Sequence, residues 1–152
     1  MKHIAIRSAT ASDLANLAKI DRDGFGDESY PLFVLKQFMD IAPSGLIVAE
    51  ENAALTGYAL AASVGGQATT SWLLSLVVAQ SYRGLGVGRA LAKNIIERQQ
   101  MQGATKILLT VNPENTVAIT LYRSLGFADL DLIADYFGRG SDRLTMVMVS
   151  NC

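Results

Sequence analysis

Cysteine and histidine are nearly absent. Among 152 residues there is one cysteine, Cys152 at the last position, and one histidine, His3. A single thiol closes no disulfide within the chain and builds no Cys-based zinc site, so no metal is expected. An unpaired thiol suits a reducing compartment, and the cytoplasm is the expected location. An excess of charge of either sign is also missing. The 13 basic residues nearly match the 14 acidic ones, for a net charge of −1, and no Lys/Arg cluster occurs. That balance argues against nucleic acid as a partner. It also means that an anionic ligand must be held by local geometry, not by a broad positive field. No apolar run approaches the roughly 18 residues that a membrane span needs. The segment from Met1 to Arg7 is too short and too polar for a signal peptide.

Apolar residues make up 50% of the chain, which argues against disorder. A domain of this size buries roughly 70% of the surface that its unfolded chain exposes. One domain over 1–152 is therefore expected, and it needs no disulfide or metal to fold. Residues His3 to Arg7 read as a short strand. Thr10-Ala11-Ser12-Asp13 has the form of a capping box, followed by a helix with Leu14, Leu17 and Ala18 at helical spacing and Gly24 and Gly26 at its end. Pro31 suits the first turn of a second helix, with Leu32, Leu35, Phe38 and Met39 as its apolar stripe. Strands are expected over Leu46 to Glu50 and Leu55 to Val64, joined by a hairpin loop. Trp72 to Val78 is apolar on both faces and belongs mid-sheet.

A glycine-rich turn, Arg83 to Gly88, precedes a helix over roughly Val87 to Gln102. Lys106 to Val111 is a buried strand, Asn115 to Leu125 a helix ended by Gly126, and Phe127 to Leu132 and Leu144 to Val149 two closing strands. The order β-α-α-β-β-β-α-β-α-β-β implies an α+β fold with a mixed sheet and helices on both faces. Three antiparallel strands are followed by a right-handed crossover to a parallel one.

The densest signal is Gln80-Ser81-Tyr82-Arg83-Gly84-Leu85-Gly86-Val87-Gly88-Arg89, between a buried strand and an amphipathic helix. Glycines let backbone approach a ligand closely, and a helix start offers free N–H groups and the positive end of the dipole. A phosphate or pyrophosphate is the natural occupant. The dinucleotide fingerprint fails because Arg89 stands at its third glycine. A Walker loop fails because Arg89 and Ala90 stand where it needs glycine and lysine. A purely structural glycine turn is the alternative.

Arg83-x-x-Gly86-x-Gly88 resembles the coenzyme A motif (Q/R)-x-x-G-x-(G/A) of the GNAT acetyltransferases. The flanking Leu76-Val77-Val78 and Arg89-Ala90-Leu91 are similar to that family too. So is Asn115-x-x-Ala118-x-x-Leu121-Tyr122-x-x-Leu125-Gly126-Phe127, which resembles its second motif. The order of elements agrees over essentially the whole chain. Within the superfamily the look is nearest to the ribosomal-protein N-terminal alanine acetyltransferases, with Asp135-Tyr136-Phe137 and Asp142-Arg143 contributing to it.

The resemblance implies an acetyl-coenzyme A-dependent N-acetyltransferase with the GNAT fold. It implies that backbone N–H groups of Arg83, Gly84, Leu85, Gly86, Val87, Gly88 and Arg89 hold the pyrophosphate. Main chain around Leu76, Val77 and Val78 would hold the pantetheine and the thioester carbonyl, with an N–H for the oxyanion. Asn115 would bind the coenzyme A arm, cap its own helix, or do both. Tyr122 would protonate the departing thiolate. Related enzymes often carry Glu or His where this chain has Thr110, which cannot act as a base near neutral pH. Glu28, Glu114 and Asp135 remain as carboxylates that could act through water. His3 is read as structural or exposed. The loop with Glu28 and Tyr30 lies where the fold usually shapes the acceptor site.

The missing base bears on the substrate. An α-amine titrates near ~8, so roughly a tenth of it is neutral at pH 7, against about four in ten thousand for a lysine amine. An α-amine, on a protein N-terminus or an amino-acid-like molecule, is therefore the expected acceptor. A lysine side chain or polyamine, and a non-catalytic acyl-coenzyme A sensor, are the alternatives. No covalent acetyl-enzyme through Cys152 is expected, and the chain could be a monomer or a homodimer.

Overall fold

The computed structural model describes residues 3–150. Its elements in chain order are β1 (Ala5–Ser8), α1 (Leu14–Phe25), α2 (Leu32–Ile41), β2 (Leu46–Glu51), β3 (Ala54–Val64), β4 (Gln67–Val78), α3 (Val87–Met101), β5 (Lys106–Val111), α4 (Thr116–Ser124), β6 (Ala128–Ile133) and β7 (Arg143–Val149). Seven strands form one sheet in the order β1-β2-β3-β4-β5-β7-β6. Every neighbouring pair is antiparallel except β4 with β5, which run parallel. The α+β reading and the mid-sheet place of β4 hold. Cys152, the last residue, lies outside the described residues, as does Met1.

The sheet is coated on both faces, and the alternation along β2 and β3 shows how. Ile47, Ala49, Ala59 and Ala61 join the core under α3 and α4, with Leu91, Ile95, Ile119 and Tyr122. Leu46, Val48, Tyr58 and Leu60 join the core under α1 and α2, with Leu14, Leu17 and Leu35. Strands buried on both faces have no polar side to show, which is why these segments read as continuous apolar runs.

Several boundaries differ from those expected. Gly24 does not end α1; it lies inside it, where a Cβ would stand 2.7 Å from Val77 Cγ2. It is a close-approach glycine that lets α1 settle on β4. Gly26, at φ +57°, is the residue that stops the helix. Leu32 is half exposed, and Leu35 is the fully buried anchor of α2. His3 is exposed and precedes β1. β4 starts at Gln67, five residues before the apolar run, because its polar beginning pairs with β3 across the Gly65-Gly66 turn. The capping box forms as a single 3-10 turn before α1. Asp13 accepts from the Thr10 N–H at 2.8 Å and takes both terminal nitrogens of Arg7. The Arg7 guanidinium holds the Asp13 carboxyl below its ordinary range.

Candidate active site

β4 and β5 pair over only four residues, Thr70–Leu73 against Lys106–Leu109. Beyond Leu73 and Leu109 the strands part. The Ala79 N–H bonds Thr56 O on β3, so alternation turns the main-chain groups of Val78 and Leu76 away from β3, toward the opening. Arg83 confirms the direction, since its Nε donates to Val78 O at 3.1 Å. The expected trio is thereby refined. Leu76 and Val78 present their main chain to the gap, whereas Val77 turns its carbonyl to Gly57 on β3 and its side chain to α1.

At the end of β4 the chain makes a 3-10 turn, Gln80–Tyr82, and enters α3 through two left-handed glycines, Gly84 (φ +77°) and Gly86 (φ +88°). Neither has a heavy atom within 4 Å of where a Cβ would stand. The first intrahelical bond is Ala90 N–H to Gly86 O. The six backbone N–H groups from Gly84 to Arg89 therefore donate to no acceptor among the described residues. Six free donors at a helix start form an anion cradle. A shallow, open surface groove beside it is lined by Arg89, Lys93 and Glu97, with Gly86, Ala90 and Asn94; Arg89 and Lys93 add positive charge next to the free amides. Gly88 sits between strand and helix, its missing Cβ 3.5 Å from Val78 Cγ2 and 3.8 Å from Leu121 Cδ2. This close contact brings α4 up to the turn. Arg89 reinforces it by donating to Ser124 Oγ at 2.7 Å.

Tyr122 projects from α4 into the core beneath the opening, edge-on to Phe127 at 5.7 Å between ring centroids. Its hydroxyl makes no hydrogen bond among the described residues. Burial pushes its pKa well above that of an ordinary phenol, so the group holds its proton throughout the neutral range. Asn115 is the N-cap of α4, its Oδ1 accepting from Ala118 N–H at 3.1 Å.

On the opposite face lie the residues considered for the acceptor. Thr110 is half buried on β5, opposite Thr145 of β7. Tyr30 packs edge-on to Phe38, and its N–H donates to Asp21. Glu28 is not free. It accepts from Ser141 Oγ at 2.5 Å and pairs with Arg143, whose guanidinium also lies 5.2 Å from the Phe137 ring centroid. Asp135, at φ +53°, is likewise engaged: its Oδ1 accepts from Gly140 N–H at 2.7 Å and its own N–H donates to Asp142. Glu114 is exposed on the loop after β5. Two of the three carboxylates weighed as bases thus hold loops together.

The sequence reading missed a buried polar cluster. Asp21 on α1 is fully buried and accepts from the Tyr58 hydroxyl, from Tyr30 N–H at 2.6 Å and from Ser75 Oγ at 3.4 Å. Tyr58 Oη and Ser75 Oγ are 3.0 Å apart. Burial and Asp21 raise the Tyr58 pKa. A signal was available: Asp21 falls three, four and seven residues after Ala18, Leu17 and Leu14, on the buried stripe of α1.

Comparison with known proteins agrees with this geometry. The model of the Acetyltransferase (GNAT) family matches residues 12–127, and the chain belongs to that family. An N-alpha-acetyltransferase of Sulfurisphaera tokodaii is 27% identical over 155 residues, 95% of this chain and 92% of the relative. The crystal structure of a ribosomal-protein-alanine N-acetyltransferase from Brucella melitensis superposes with a TM-score of 0.82 at 28% identity, covering 95% of this chain and 99% of that one. Ard1 from Thermoplasma volcanium reaches a TM-score of 0.90 over 98% of this chain and 99% of its own, at 21% identity, a likeness of fold. The chain is an N-acetyltransferase, as its two motifs implied. Among the described residues no helix is long and apolar enough to cross a membrane.

Proposed function

We propose that this enzyme transfers the acetyl group of acetyl-coenzyme A to an α-amine, in the first instance a protein N-terminus, by direct attack in a ternary complex. The observation that carries the reading is the run of six free amides at the end of a strand that parts from its neighbour. The amides of Gly84 to Arg89 hold the pyrophosphate, with Arg89 and Lys93 adding positive charge. Leu76 and Val78 offer main-chain groups along the gap, so the acyl-carrying arm lies against them as an extra strand would. An N–H from that edge stabilises the developing oxyanion. Tyr122 delivers its proton to the departing sulfur. Asn115 caps α4 and thereby holds Tyr122 in place. The similarity to the Sulfurisphaera tokodaii and Brucella melitensis enzymes supports an N-terminal acceptor.

Thermal melting with and without acetyl-coenzyme A tests the donor. At about 100 times its dissociation constant the ligand should stabilise the native state by about 2.7 kcal/mol. No shift at millimolar ligand would make the glycine turn purely structural. Matched peptides, one with a free N-terminus and one with only a free lysine, test the acceptor; faster transfer to lysine would reverse that assignment. Gly86→Ala probes the cradle. Alanine at this left-handed position costs about 1–2 kcal/mol of backbone strain, and its methyl projects into open space beside the amides. Calorimetric titration should show acetyl-coenzyme A affinity falling about tenfold or more. An unchanged affinity would move the pyrophosphate elsewhere.

A further inference from the structure

We propose that the free edge of β6 is a docking strand for the acceptor protein, which lays a basic segment behind its N-terminus along that edge as an added antiparallel strand. The inference rests on the N-terminal acceptor proposed above and says which N-termini are favoured. β6 is the outermost strand of the sheet and pairs with β7 on one side only. All six of its residues are exposed, Leu130 by 53% and Leu132 by 69%. No residue of β6 belongs to either core.

Its main chain is turned for pairing. Asp131 directs its N–H and its carbonyl toward β7, where Thr145 Oγ1 accepts from the first at 3.0 Å and donates to the second at 3.2 Å. By alternation the N–H and carbonyl of Leu132 point to the open side. Among the described residues no strand meets them there, and such groups are a template for another chain.

Charge decides what the edge accepts. Between Ala128 and Asp142 the chain carries Asp129, Asp131, Asp135 and Asp142 against a single base, Arg139. Arg123 neutralises Asp129, whereas Asp131 pairs with no cation among the described residues. A second copy of this chain would bring the same acids beside these, and like charges on adjacent strands destabilise the pairing. An extended segment in which Lys or Arg alternates with apolar residues meets both the acids and the exposed leucines.

The register ties this edge to the reaction. Thr145 pairs with Thr110 on one side and with Asp131 on the other. Asp131 therefore shares a row and a sheet face with Thr110, just past the point where β4 and β5 part. From the gap to the far side of β6 a peptide crosses β5, β7 and β6. At about 4.8 Å per strand that is about 14 Å, or at least about four extended residues. A chain leaving the gap at this end meets Ile133 first and runs toward Ala128, opposite in direction to β6.

The test compares kcat and KM for three peptides that share their first four residues. One is a tetrapeptide, one a dodecapeptide with lysine at positions 6, 8 and 10, and one the same dodecapeptide with glutamine there. One exposed ion pair is worth up to about fivefold, so the lysine dodecapeptide should show a KM about fivefold or more below the other two at equal kcat. The advantage should fade in 1 M salt, where the screening length is about 3 Å. Asp131→Asn removes the charge, and Leu132→Pro removes the outward N–H without touching the ladder to β7. Each should erase most of the advantage and leave the tetrapeptide kinetics and the melting temperature near wild type. Equal KM for all three peptides, or an advantage that survives Asp131→Asn, would overturn the proposal. So would a wild type that sediments as a dimer beside a monomeric Leu132→Pro, because a second copy would then hold the edge. Should Leu132→Pro fail to fold, Asp131→Asn decides by the same criterion. Failure of the underlying reading looks different: the wild type would then acetylate none of the three peptides, the tetrapeptide included.

Discussion

Gly45→Ala is expected to leave little folded protein at 37 °C. The residue precedes β2, where a Cβ would stand 1.9 Å from the carbonyl oxygen of Ala61 and 3.1 Å from its carbonyl carbon. Both are backbone atoms of β3, so no side-chain rotation relieves the clash. The strands would have to separate beside the Leu46–Leu60 pair, both of whose side chains are fully buried. Overpacking against a side chain costs about 1–3 kcal/mol. Displacing main chain in the middle of a sheet should cost more than about 4 kcal/mol, a large share of the 5–15 kcal/mol that holds a typical domain together. Gly65→Ala is the control, since nothing lies within 4 Å of its Cβ position. It should melt within a few degrees of the wild type. Urea denaturation of the two variants measures the difference, and a Gly45→Ala midpoint near wild type would show that β2 and β3 can part without penalty.

The second large effect is on chemistry alone. Tyr122→Phe should lower kcat about a hundredfold. General acids contribute roughly 10²–10⁴, and a thiolate, already a fair leaving group, places this one at the low end. The fold should be indifferent, because among the described residues the hydroxyl makes no hydrogen bond that its removal would orphan. Acetyl-coenzyme A affinity should likewise be unchanged. The raised pKa of Tyr122 also has a sign. The phenol stays protonated past its ordinary range, so any decline of rate between pH 8 and 9.5 has another origin. Single-turnover kinetics with the variant check the assignment; a kcat within threefold of wild type would remove Tyr122 from the mechanism.

Much of this architecture was legible in the sequence where local pattern and tertiary role coincide. β5 occupies Lys106–Val111 as expected, because a short apolar run between a helix stop and a turn has few other fates. The glycine turn was legible because its spacing matches a known motif and its neighbours are unambiguous. What escaped depended on partners distant in the chain. The polar start of β4 is a strand because β3 lies beside it. Gly24 looked like a stop signal and is a contact with β4. Glu28 looked like a free loop carboxylate, but Arg143, 115 residues away, takes it. Asp21 was not singled out at all, although its spacing placed it with Leu14 and Leu17.

Beyond chemistry, the parting of β4 and β5 has a mechanical meaning. The sheet consists of two panels, β1 to β4 and β5 to β7, and among the described residues the main-chain ladder joining them is four residues long. Such a seam is the natural place for the molecule to flex or to tear. A ligand that lies along the free edge of β4 with its phosphates on α3 would act as a splint across that seam. Loading the donor would stiffen the joint on which the placement of the acceptor depends.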